Sequence, residues 1–307
     1  MIFDNISTKE ELLGKSFQKI PKIKNKRKYF NSSLMINAAE PKHLNKLDEL
    51  APTIAVINLE DGIADAKKEE ALHLAAVFLS NLKNSEALIT IRTNEVGSAF
   101  FEKELEIINI LKPDAIRIPK LKYKEELLAL ESKIDKDIDI HLSIETKEAF
   151  TNISSFKTSD RVTTVFLGII DLLEDLEIGS HIIKHTSPTA KYVMSKFLVD
   201  SKSAGFLPLS FVFQDYKDMD GFRAWLEIEK EMGFEAKACI SPTQMLAAND
   251  FFAPNERQFE DALYIKEQFE KHESMGIGGF KDDRFGFIDM PIYKNAILVL
   301  KKFGKIL

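Results

Sequence analysis

Residues 139–171 read DIHLSIETKEAFTNISSFKTSDRVTTVFLGIID, two short apolar runs that each end in a carboxylate, Glu145 and Asp171, with a more polar stretch between them. Such a run, bounded by polar residues, reads as a strand buried on both faces, the kind found in parallel sheets. The unit recurs in both directions along the chain. SLMIN (33–37), TIAVINLE (53–60), ALITIRTN (87–94) and DAIRIPK (114–120) precede it; PLSFVFQ (208–214) and AKACISP (236–242) follow. With DIHLSIET (139–146) and VTTVFLGIID (162–171) this makes eight strands. Between them, KKEEALHLAAVFLSNL (67–82), FFEKELEIINIL (100–111), YKEELLALESKI (123–134) and DGFRAWLEIEKEMG (220–233) repeat apolar residues at three and four, the helical period.

Eight strands with helices between them predict a (β/α)8 TIM barrel over 31–255, with an N-terminal arm over 1–30 and a C-terminal helical extension over 256–307. An open doubly wound sheet would require a phosphate fingerprint such as G-x-G-x-x-G after an early strand. None is present there, and GIGGF (276–280) comes late, so it reads as a flexible turn.

Composition narrows the partners. The 42 basic and 48 acidic residues leave −6, which argues against a nucleic-acid surface, although KIPKIKNKRK (19–28) could be a solvated arm or reach a phosphate-bearing ligand. No apolar stretch approaches the ~18 residues of a membrane span, and the N-terminus lacks a signal-peptide pattern, so the cytoplasm is the expected location. Cys239, the one cysteine, and Trp225, the one tryptophan, read as core.

In a barrel the C-terminal strand ends face the active site. Polar residues crowd there: Glu60 and Asp61, Arg92 and Asn94, Lys120, Glu145 and Thr146, Asp171, Gln214 and Asp215. Each alone could cap the following helix or pair with a neighbour. Several carboxylates buried together instead call for a cation or a basic partner. Glu145 and Asp171, on adjacent strands five and six, could share one ion, and all-oxygen ligation suits Mg2+ or Mn2+. The histidines at 43, 73, 141, 181, 185 and 272 show no ligand spacing, and His141 is expected to pack within strand five.

These strand ends resemble the citrate lyase β-subunit-like branch of the HpcH/HpaI aldolases. The motifs that carry the resemblance are NLEDGI (58–63), IRTN (91–94), IPKL (118–121), SIET (143–146), GIIDLLEDL (168–176), GFEAKACISPTQ (233–244), FFAP (251–254) and FIDMP (287–291). It implies a Mg2+-dependent lyase or aldolase, a trimer or hexamer, acting on acyl thioesters such as citryl, malyl or citramalyl derivatives. Glu145 and Asp171 are implied as metal ligands, Arg92 as a substrate-carboxylate contact, and Glu60 with Asp61 beside the metal's waters. Lys120 and Lys237 are implied as substrate contacts. Asp289 is implied as an acid or base carried on a C-terminal lid, often into a neighbouring subunit's site; its plainer role is to cap the helix that Pro291 begins.

The chain also departs from the pattern. Asn31 stands where a first-strand arginine would hold an acid or phosphate and is expected to contact substrate in its place, Asn58 replaces the first Asp of DLED, Ala236 replaces a glycine and Ser241 a histidine. These changes touch substrate handling more than the metal. The expected function is cleavage or formation of a 3-hydroxy-acyl thioester through a metal-stabilised enolate. The alternatives are an aldolase on a free 2-keto or sugar-derived acid without CoA, and a non-catalytic metabolite-binding barrel.

Overall fold

The computed structural model describes residues 30–50, 52–82, 85–253 and 255–303, with 14, 16 and 17 ahead of them. The basic run at 19–28 lies outside the described residues. The chain divides into two compact units, the first ending at Phe252 and the second beginning at Ala253.

The first unit is a parallel barrel of β1 (Ser32–Asn37), β2 (Ile54–Asn58), β3 (Leu88–Arg92), β4 (Ala115–Ile118), β5 (Asp139–Ile144), β6 (Val162–Leu167), β7 (Leu207–Leu209) and β8 (Lys237–Cys239). Each strand pairs with its sequence neighbour from β1 to β7, and β8 returns to β1. The seam between β7 and β8 is a parallel bridge at Ser210 and Lys237. There Ser210 N donates to Ala236 O at 3.3 Å and Ala238 N to Ser210 O at 3.2 Å.

Strand alternation sorts the residues into two layers. Ile54, Val56, Phe166, Leu209, Ala236 and Ala238 form one cluster inside the barrel. Residues of the opposite parity, such as Ala55, Ile57, Ile116 and Ile140, join a larger cluster with helix residues including Leu74, Phe78 and Leu105. Strand residues on both faces are therefore largely buried, which is why the strands read as mainly hydrophobic runs.

Three strands end three or more residues earlier than their sequence implies, each because the backbone finds another partner. At the end of β6, Gly168 opens the helix Ile169–Asp175, so Asp171 stands on a first helical turn and not at a strand end. Beyond β7, Phe211 O accepts from Lys237 Nζ at 2.9 Å and Phe213 O from Gln244 Nε2 at 2.9 Å, which diverts those carbonyls from the ladder. After β8, Ser241 Oγ accepts from Gln244 N at 3.2 Å and caps the helix Pro242–Phe251. Ser241 is thus a helix start, with proline next to it supplying the preset backbone angle.

In the second unit the helices Glu256–Glu273 and Met290–Lys302 pack through Ala262, Ala296 and Leu300. Between them β9 (Gly279–Asp282) and β10 (Gly286–Asp289) form an antiparallel pair. The GIGGF stretch is a turn only to residue 278; its last two residues belong to β9.

Candidate functional site

A cavity of about 260 Å³ opens at the C-terminal ends of the strands. Asp61, Arg92, Arg117, Glu145, Phe166 and Asp171 line one side of it, and Met35, Val212, Ala238 and Ile240 give the other an apolar wall. Its volume is below the range of drug-sized pockets, ~300–1,000 Å³, and suits a small acid.

Glu145 follows β5 with inward parity, two residues beyond Ser143, and is 2% exposed. Its Oε1 accepts from the backbone N of Lys120 at 3.0 Å. That N–H is available because Lys120, directly after Pro119, takes a left-handed backbone with φ 56°, an uncommon and costly conformation for a side chain of this size. On the next strand Gly168 has no side chain to obstruct the carboxylate: a Cβ there would stand 2.6 Å from Glu145 Oε2. Burial pushes the Glu145 carboxyl up to about 7, with Glu60 and Asp171 adding to the rise and Arg92 and Arg117 opposing it.

Arg92, at the end of β3 and 5% exposed, gathers the neighbouring acids. Its guanidinium pairs with Glu60, with Asp61 Oδ2 at 3.2 Å and, more loosely, with Glu145 Oε2 at 3.9 Å. Desolvation works against its charge, but Glu145, Glu60, Asp61 and Asp171 together raise its pKa further. Lys120 Nζ approaches Glu60 Oε1 at 3.2 Å. Burial raises the Glu60 pKa although Arg92 and Lys120 oppose it. The turn that presents Glu60 and Asp61 is tied by Asn58, whose Nδ2 donates to Asp61 O at 2.7 Å. Gly62 completes that turn at φ 82°, a conformation glycine takes without strain. Asn58, a departure in the sequence, therefore shapes the turn.

Arg117 is the site residue that sequence reasoning missed. It lies in the middle of β4, pairs in register with Arg92 on β3 and with His141 on β5, and lines the cavity. Its Nε donates to Ser143 Oγ at 2.9 Å and its guanidinium lies 4.0 Å from the Phe166 ring centroid. The available signal was a single arginine inside the apolar run of DAIRIPK.

Other expected contacts are placed elsewhere. Asn31 precedes β1 at the opposite pole of the barrel, where its N donates to Thr53 Oγ1 at 3.1 Å. Four residues separate it from Met35 at the cavity, about 13 Å of strand, so Asn31 is corrected from substrate contact to a residue of the barrel floor. Lys237 has outward parity and is fully buried against Glu229 of the helix Met219–Met232, so it too is corrected, from substrate contact to a buried ion pair. Ala236 packs inside the barrel with Ile54 and Val56, away from the cavity wall. Asp289 Oδ1 accepts from Ile292 N at 3.2 Å and caps the helix Met290–Lys302. His141, Cys239 and Trp225 are buried, as expected of core residues.

Glu145 and Asp171, lining one cavity, could hold a hard cation. The donor atoms are carboxylate oxygens and the Gly168 opening leaves the Glu145 carboxylate room, which suits Mg2+ or Mn2+. Among the described residues no group of three or more His, Cys, Asp or Glu converges to enclose a metal. Most coordination positions would then belong to water and ligand oxygens. Among these residues, also, no helix is long and apolar enough to cross a membrane.

The family model described as HpcH/HpaI aldolase/citrate lyase matches residues 31–242. A (3S)-malyl-CoA thioesterase of Cereibacter sphaeroides is 27% identical over 270 residues, covering 88% of this chain and 91% of that protein. A mitochondrial citramalyl-CoA lyase of Mus musculus is 27% identical over 281 residues, covering 86% and 82%. Among solved structures, the protein CitE of Mycobacterium tuberculosis in complex with magnesium, acetoacetate and coenzyme A superposes with a TM-score of 0.73 at 21% identity, covering 90% of this chain and 99% of that one.

Proposed function

Since the chain belongs to the HpcH/HpaI aldolase/citrate lyase family, we propose that it is a Mg2+-dependent carbon–carbon lyase that cleaves or forms a 3-hydroxy-acyl thioester. The observation that carries this reading is the placing of Glu145 and Asp171 on one small cavity beside Arg92 and Arg117. The relatives named for malyl-CoA and citramalyl-CoA chemistry support the substrate class. The solved relative that holds magnesium and coenzyme A supports the cofactor.

In this reading Glu145 and Asp171 hold Mg2+ (or Mn2+), which when bound supplies Lewis-acid stabilisation of the charge that develops on a substrate oxygen. Arg92 pairs with Glu60 and Asp61 and holds them in place, and its guanidinium faces the cavity as a contact for the substrate's acid group. Lys120 offsets the charge of Glu60 and, through its backbone, orients Glu145. Cleavage requires a base to take the 3-hydroxyl proton and an acid to return one to the carbon that is released. Asp61, 57% exposed on its side chain and lining the cavity, is the nearer candidate for this transfer. Asp289 of a neighbouring copy in a homo-oligomer is the second.

The test is solvent exchange. With Mg2+ saturating in heavy water, the protein should wash the methyl protons out of acetyl-CoA, and Glu145→Gln or Asp171→Asn should lose that exchange by about a hundredfold or more. Exchange of pyruvate without binding of acetyl-CoA would move the assignment to a free-acid aldolase. Exchange of neither would overturn the lyase reading.

A further inference from the structure

Arg117 is 5% exposed and lines the cavity, yet among the described residues its charge has no ion-pair partner. Its Nε is held by Ser143 and its flat face by Phe166. Among the described residues its two terminal nitrogens carry no hydrogen bond, and no carboxylate stands within ion-pair distance of them. Arg92, which also lines the cavity, is paired with Glu60 and Asp61, and Lys120 beside them is paired with Glu60. A buried guanidinium without a counter-ion is expensive, and its fork geometry matches a carboxylate through two parallel hydrogen bonds.

We propose that Arg117 determines specificity by receiving a second carboxylate of the substrate, so that the cavity prefers 2-keto or 2-hydroxy acids with two carboxylates over their one-carboxylate counterparts. This rests on the metal-site reading above, in which Glu145 and Asp171 would hold the cation and Arg92 meets the substrate's first acid group. Charge balance agrees. Four carboxylates in and beside the cavity, Glu60, Asp61, Glu145 and Asp171, interact with three cations, Arg92, Arg117 and Lys120, and a divalent ion would leave this cluster with an excess positive charge for an acid to neutralise. Burial, with the like charge of Arg92, lowers Arg117 to about 9 against the opposing pull of Glu145, Glu60 and Asp171, so it stays charged at neutral pH. Ser143 and Phe166 act as positioning residues that fix the direction of the fork.

The experiment is isothermal titration of the full chain with S-malate and S-lactate in the presence of Mg2+, two stable acids that differ by one carboxylate. The wild type should bind malate about tenfold or more tightly than lactate. Arg117→Met should bring the two within about threefold by weakening malate alone, and Arg117→Lys should recover part of the preference as a point charge. An unchanged ratio in Arg117→Met, or equal weakening of both acids, overturns the proposal. So does a wild-type ratio near one, whether or not any variant folds. A Mn2+ titration of the protein followed by electron paramagnetic resonance separates the two readings. Failure to bind the cation defeats the metal site and this inference with it, whereas cation and lactate binding without preference for malate defeats the Arg117 assignment alone.

Discussion

Inside the barrel, His141 sits one strand away from Arg117 and fully buried, with neither ring nitrogen hydrogen-bonded among the described residues. Burial, assisted by the Arg117 charge, lowers its pKa to about 3. The native state thus holds His141 neutral at pH 5, while the unfolded chain takes up a proton near its ordinary value of ~6.5. Stability from this residue is present above pH 6.5 and is lost as pH falls from there toward 3, because the unfolded state binds more protons across that window. Between pH 7 and pH 5 the wild type should lose about 2 kcal/mol more than His141→Leu, read from urea midpoints at the two pH values. Equal losses would show that the ring is protonated in the native state. The same residue shows what sequence reading could and could not reach: His141 was legible as core, but its contact with the Arg117 layer depends on a register between strands that pattern alone does not give.

At the scale of elements, the weakest part of the barrel wall is the seam between β7 and β8, which has one bridge where other neighbours have ladders. Lys237 reinforces it. Its Nζ bonds Glu229, Ser210 Oγ at 3.2 Å and Phe211 O at 2.9 Å, joining both strands to the helix Met219–Met232. Burial raises the Glu229 pKa, and Lys237 with Ser210 opposes the rise. Removing one partner orphans the other, so Lys237→Met should cost about 3–5 kcal/mol, and Lys237→Met with Glu229→Leu should recover most of it. Denaturant midpoints of the single and double variants decide this; additive losses would mean the pair is not coupled. The resemblance marked Lys237 for substrate, and strand parity overrode that assignment. A residue next to Ala236 and Ala238, both facing the barrel interior, must itself face outward.

For the whole molecule, the proposal that a neighbouring copy supplies the acid or base has a direct test. If Asp289 serves a neighbouring copy in a homo-oligomer, Asp289→Asn and Glu145→Gln should each be inactive alone, and mixed after subunit exchange they should regain up to about a quarter of wild-type turnover. Asparagine caps a helix as well as aspartate does, so Asp289→Asn keeps the cap on Met290–Lys302 and removes only the titratable group. No recovery on mixing would confine Asp289 to capping. The eight strands, the inward-pointing Glu145 and Arg92, and the family were all readable in the sequence, because buried parallel strands leave unbroken apolar runs and their polar ends stand out against them. Only the tertiary structure moved Asp171 onto a helical turn, Asn31 to the barrel floor and Lys237 to the outer layer, and only it brought Arg117 to the cavity. The reason is physical: a run of sequence shows that a strand is buried, but which side chain faces the interior, and at what height, is set by pairing with strands distant in the chain.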